Sequence, residues 1–145
     1  MESKLISMME QPIPSKIEYR QLNYRPTIHK LNKTYDILNH VLFDNELEKC
    51  HLNVRGIRQA WGCAYPLKRN GVHKTYIEVL DKLPCEQFMV AVLAHEMVHQ
   101  WQWDIVEPKR KSKKYLADHG KAFYSWKSKF ENYGINFGTY IPHYV

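Results

Sequence analysis

The segment from Phe88 to Val98 is apolar at nearly every position, yet it carries His95 and Glu96 and runs directly into His99. A helix that is hydrophobic all round has no face to give to solvent, so the segment predicts a buried central helix around which the rest of the chain packs. Pro84 suits the first turn of such a helix and Glu86 the positive end of its dipole, while Pro108 is expected to lie beyond its end.

With 145 residues, 44% of them hydrophobic, the chain is sized for one core rather than two. Residues 1–26 mix Pro12, Pro14 and Pro26 with polar residues and read as an arm, leaving 27–145 as the domain. Leu31, Tyr35, Leu38 and Leu42 recur at helical spacing, which predicts a first helix from Thr27 to about Phe43, stopped at Asp44-Asn45. Between His51 and Leu80 the pattern changes to short β-rich runs. Asn70-Gly71 separates two of them as a hairpin turn would, so two or three antiparallel strands are expected. Asp118 can cap a last helix from about His119 to Tyr133 that stops at Gly134, followed by an extended aromatic tail.

The chemistry concentrates in His95-Glu96-Met97-Val98-His99. Histidines four apart on a helix project to one side about a turn apart, as two ligands of a tetrahedral zinc ion must. A carboxylate next to the first of them can take a proton from water beside the metal and hand it to a leaving amine. Given 8 His and 10 Glu in the chain, the pattern arises by chance roughly 0.03 times per sequence, so context has to decide. Here the context is a buried helix, where two imidazoles and a carboxylate left unpaired would cost several kcal/mol. A metal removes that cost; the alternative is two core histidines satisfied by backbone carbonyls with a surface glutamate between them.

A catalytic zinc site takes three protein ligands and keeps one position open. His119 is the preferred third ligand, because the face that continues through Phe123, Trp126 and Phe130 is apolar and should turn inward. Glu107, Asp118 and Glu131 are the rivals. A metzincin arrangement is excluded, since its third histidine would fall at position 105, which is Ile105.

Four segments carry a resemblance to a known family. They are Leu38-Asn39-His40-Val41-Leu42-Phe43 with Leu47, Gly62-Cys63-Ala64-Tyr65, Leu93 to Trp101, and His119-Gly120-Lys121-Ala122-Phe123. In this order, over roughly residues 30 to 133, the chain resembles the SprT-like metallopeptidases, which include the bacterial SprT proteins and the DNA-dependent protease Spartan. The resemblance implies a minimal zincin-like α+β domain: a small antiparallel sheet packed with an active-site helix and flanking helices. It further implies Zn2+ held by His95, His99 and His119, with Glu96 catalytic. Many members carry a carboxy-terminal zinc ribbon, for which this sequence offers no cysteine after Cys85, and its stretch between His99 and His119 is longer and more basic than usual.

The expected function is zinc-dependent hydrolysis of protein substrates, including proteins bound or crosslinked to DNA. The alternative is a non-catalytic nucleic-acid-binding protein stapled by zinc, but a structural site closes with four protein ligands and has no use for a glutamate base. DNA is the expected partner of the basic run Lys109, Arg110, Lys111, Lys113 and Lys114, in a chain of net charge +6. Trp101, Trp103, Tyr65 and Tyr76 read as packing residues, and Tyr140, His143 and Tyr144 as a packed or exposed tail, the alternative being oxyanion contacts if it folds over the cleft. Three scattered cysteines, no visible targeting segment and no apolar run long enough to span a bilayer make a soluble intracellular protein the expectation, with no membrane partner.

Overall fold

The computed structural model describes residues 1–10, 22–109 and 121–135. Thr27 caps α2 (Ile28–Leu42): its hydroxyl accepts from the Lys30 backbone N at 3.1 Å. Leu31, Tyr35, Leu38 and Leu42 form the buried stripe. The helix stops where Asp44 and Asn45 adopt φ of 52° and 59°, a left-handed conformation that short polar side chains tolerate. Ahead of it lies α1 (Glu2–Met8), an element with no signal in the proline-rich arm, whose Leu5 is fully buried. Tyr24 is paired with Leu83 through two backbone hydrogen bonds of 2.9 and 2.8 Å, which ties the approach to α2 to the segment entering the central helix.

The class is α+β, with β1 (His51–Arg55), β2 (Gly62–Arg69) and β3 (Val72–Leu80) in the order β1-β3-β2. Asn70 and Gly71, at φ of 52° and 78°, make the tight turn that sets Arg69 opposite Val72. The sheet is mixed rather than wholly antiparallel, because β1 runs parallel to β3, Leu52 opposite Ile77 and Val54 opposite Val79. The connection of residues 56–61 lets β1 and β2 run in opposite directions one strand apart, and β3 fills the gap. Antiparallel to β2, β3 is necessarily parallel to β1.

On this sheet and against α2 packs α3 (Glu86–Trp101), buried at every residue except Glu86, His95 and Trp101. Helical structure does not stop before Pro108. It widens into a π-helix (Gln102–Val106) and resumes as α4 (Glu107–Lys109). Pro108 thus lies inside a continuous helical run, directly after the widened π-helical turn.

The expected last helix is divided into α5 (Lys121–Tyr124) and α6 (Lys127–Glu131). Ser125 Oγ donates to the Ala122 carbonyl at 2.6 Å, a local bond that competes with helix continuation. Gly134, at φ 76°, ends α6 as anticipated, with Ile135 N bonded back to the Phe130 carbonyl at 3.1 Å. Phe43 and Trp101 receive Trp126 at ring distances of 4.4 and 5.2 Å, docking this region on the ends of α2 and α3. Asp118, His119, Arg110, Lys111, Lys113, Lys114, Tyr140, His143 and Tyr144 lie outside the described residues. Among the described residues, no helix is long and apolar enough to cross a membrane.

Candidate metal centre

One turn of α3 separates His95 from His99, and their rings stand 5.2 Å apart at 71°. Phe123 of α5, fully buried, touches both, with ring centroids 4.8 Å from His95 and 4.9 Å from His99. Trp103 lies on His99 as well, near-parallel at 6.0 Å, which reads it as a packing partner of the site rather than a base-stacking platform. Gln102 places Oε1 2.9 Å from His99 Nδ1. No motif in the sequence singles out Gln102. Its one signal is that of a polar residue, three positions after His99, on a helix with no exposed face.

Glu96 is 8% exposed and hydrogen-bonds to no described residue. Burial pushes its carboxyl up to about 8. Against it lies β2 at Gly62, and the absence of a side chain there is what permits the approach. A Cβ on Gly62 would stand 2.7 Å from Val92 Cγ1, 3.1 Å from the Glu78 carbonyl oxygen and 3.5 Å from Glu96 Cγ. The neighbouring Cys63 thiol is pushed up to about 11, by burial first and then by the carboxylates of Glu78 and Glu96. It stays protonated near neutral pH and is no thiolate nucleophile.

The C-terminal end of α3 is bolted in place by polar contacts. Gln100 Nε2 donates to Asp104 Oδ2 at 3.0 Å and to the Glu48 carbonyl at 2.8 Å, and its Oε1 accepts from the Tyr35 hydroxyl at 2.9 Å. Thr75 Oγ1 donates to Asp104 Oδ1 at 3.1 Å, and His73 Nε2 lies 3.1 Å from the same oxygen. Helix α2, strand β3 and the π-helix therefore all fix the turn that carries His99.

Among the described residues, no group of three or more His, Cys, Asp and Glu gathers as a metal cluster. Glu107 is exposed on α4, and Glu131 is exposed on α6 with Lys127 Nζ 4.0 Å from its carboxylate, so neither rival joins His95 and His99. A cavity of about 550 Å³ bordered by Phe43, Trp101, Ile105 and Trp126 includes none of the motif residues.

A profile of the SprT-like family matches residues 31–142. No curated protein matches the chain.

Gly62→Ala is expected to destabilise the fold by about 1–3 kcal/mol, the usual cost of overpacking. Val92→Ala in the same chain should recover part of that loss, because Val92 Cγ1 is the nearest obstacle. Urea denaturation of the two single variants and the double variant measures the coupling. Purely additive losses would remove Gly62 as the residue that seats β2 on α3.

Proposed function

We propose that this chain, which belongs to the SprT-like family, is a zinc metallopeptidase in which His95, His99 and His119 hold the metal and Glu96 is the general base. The observation that carries the reading is the grouping on α3: two imidazoles 5.2 Å apart and, between them in sequence, a buried carboxyl that no described residue hydrogen-bonds. A carboxyl largely removed from water is expensive to keep charged, and a function or a ligand accounts for it. Imidazole nitrogens at this spacing suit zinc. His119 lies two residues ahead of Lys121 in the sequence, at most about 7 Å of chain, and α5 lays Phe123 on both histidines.

Bound zinc would supply Lewis acidity, polarising a scissile carbonyl and making water easier to deprotonate. Glu96 would accept the proton of the attacking water and deliver it to the departing amine as the C–N bond breaks. Its burial, with Val92 and β2 at Gly62 alongside, limits the bulk water that could compete for that proton. A cation at the imidazoles also opposes the upward shift of the Glu96 carboxyl and so favours its basic form.

For substrates we propose proteins, including those bound or crosslinked to DNA. The support is the net charge of +6 and the run Lys109, Arg110, Lys111, Lys113 and Lys114, which falls between the two ligand-bearing segments.

Glu96→Gln should abolish hydrolysis, by about a hundredfold or more, while zinc content measured by metal analysis stays near one per chain. Wild-type turnover by the purified variant would refute the mechanism. In a zinc titration, His119→Ala should lose affinity severely while Asp118→Ala and Glu131→Ala do not. The reverse pattern would move the third-ligand role to a carboxylate. Replacing the five basic residues with Ser or Gln should flatten the log–log salt dependence of DNA binding by several units, about one for each phosphate no longer neutralised. An unchanged slope would take the run out of the function.

A further inference from the structure

We infer that Gln102 is a positioning residue of the site: its amide oxygen holds the proton of His99 on Nδ1 and so commits Nε2 to the metal. The inference rests on the metal-site reading proposed above and deepens it. A neutral imidazole carries one N–H and one lone pair, and whichever atom faces the ring decides which nitrogen is which. Gln102 Oε1 lies 2.9 Å from His99 Nδ1, and a carboxamide oxygen only accepts. With this oxygen facing the ring, Nδ1 is assigned as the donor and the lone pair is left on Nε2. A histidine side chain in water prefers the opposite tautomer, with its proton on Nε2, so the choice is made by the protein.

Three features make the contact more than incidental. Gln102 is 1% exposed and His99 7%, so little water is at hand to replace the carboxamide. The ring cannot turn away from it either, because Phe123 covers one part of it at 4.9 Å and Trp103 another at 6.0 Å, both near-parallel at 23°. Finally, the backbone that carries Gln102 is fixed from below by the contacts of Gln100 and Asp104 to Tyr35, Glu48 and Thr75. The helix delivers its i+3 side chain to the hydrogen bond and its i+4 side chain to the stack, and the two together determine both tautomer and tilt. Partners of this kind orient metal-ligating histidines in general, and their loss typically lowers metal affinity about ten- to a hundredfold.

The test uses the full chain with 15N-labelled histidine, above the imidazole titration range, both as purified and after metal removal. Long-range 1H–15N correlation spectra, with His99 assigned through His99→Gln, report which ring nitrogen bears the proton. The expected result is Nδ1–H for His99 in wild type, whether or not metal is bound. Gln102→Met, matched in length but with a far poorer acceptor, should release that preference and weaken zinc binding about ten- to a hundredfold. Gln102→Glu, which keeps an acceptor oxygen, should retain the Nδ1–H form and near-wild-type zinc affinity. An Nε2–H His99 in wild type overturns the inference, as does a Gln102→Met chain with unchanged tautomer and zinc affinity. The wild-type spectrum decides even where Gln102→Met fails to fold. The two readings also fail separately. A chain that binds no zinc sinks the metallopeptidase but leaves the tautomer to be read directly, and a zinc-loaded, active chain with Nε2–H His99 removes Gln102 alone.

Discussion

Burial of α3 on all sides is the constraint from which the rest of the structure follows. A helix that gives only Glu86, His95 and Trp101 even partial exposure needs a cover on every flank. The sheet supplies one through Ile77 and Val79, α2 another through Leu31, Tyr35 and Leu38, and α5 a third through Phe123. Each apolar side chain so covered contributes about 1.5–3 kcal/mol. Against that gain stand Gln87, Glu96, His99, Gln100 and Gln102, polar groups that the same burial removes from water. Gln100 and His99 recover their hydrogen bonds within the protein. Glu96 recovers none among the described residues, so the burial that raises its carboxyl pKa also costs stability.

Which parts of this arrangement were legible in the sequence follows from how local the physics is. The stripe of α2, its Thr27 cap, the Asn70-Gly71 turn and the Gly134 stop are each set by residues within a few positions of one another, and they stand where the spacing predicts them. The parallel direction of β1 depends instead on which edge of β3 was already taken, a choice between strands far apart in sequence. Pro108 misleads for a different reason. Proline in a helix interior lacks an N–H and clashes with the preceding turn, and here that turn is widened into a π-helix through which the helix continues. At the break between α5 and α6 the backbone tightens to i+3 bonds and Ser125 Oγ bonds the Ala122 carbonyl, local choices that periodicity cannot see.

In the site the same division holds. His95, Glu96 and His99 are adjacent on one helix, so their spacing announces them. Gly62 and Phe123 come from other elements, and only the fold reveals that one admits the strand beside Glu96 and the other lies on both imidazoles. Gln102 is an intermediate case: its position relative to His99 is local, but its importance depends on burial that leaves the imidazole little water to turn to.

The short helices α5 and α6 show how such a centre bears on stability. Over the described residues α5 and α6 span four and five positions, well below the length at which a helix holds itself together in water. What fixes them is tertiary: Phe123 on the two histidines, Trp126 and Phe130 on Phe43, and Lys129 Nζ donating to the Leu42 carbonyl at 2.6 Å. One of these anchors is the imidazole pair itself, so whatever orders those rings also orders the segment packed on them. On the reading proposed here, metal binding and the docking of α5 are a single equilibrium seen from two sides. A ligand that binds only the docked form stabilises it by mass action. The packing of Phe123 would then be worth more in the loaded protein than its buried area alone provides.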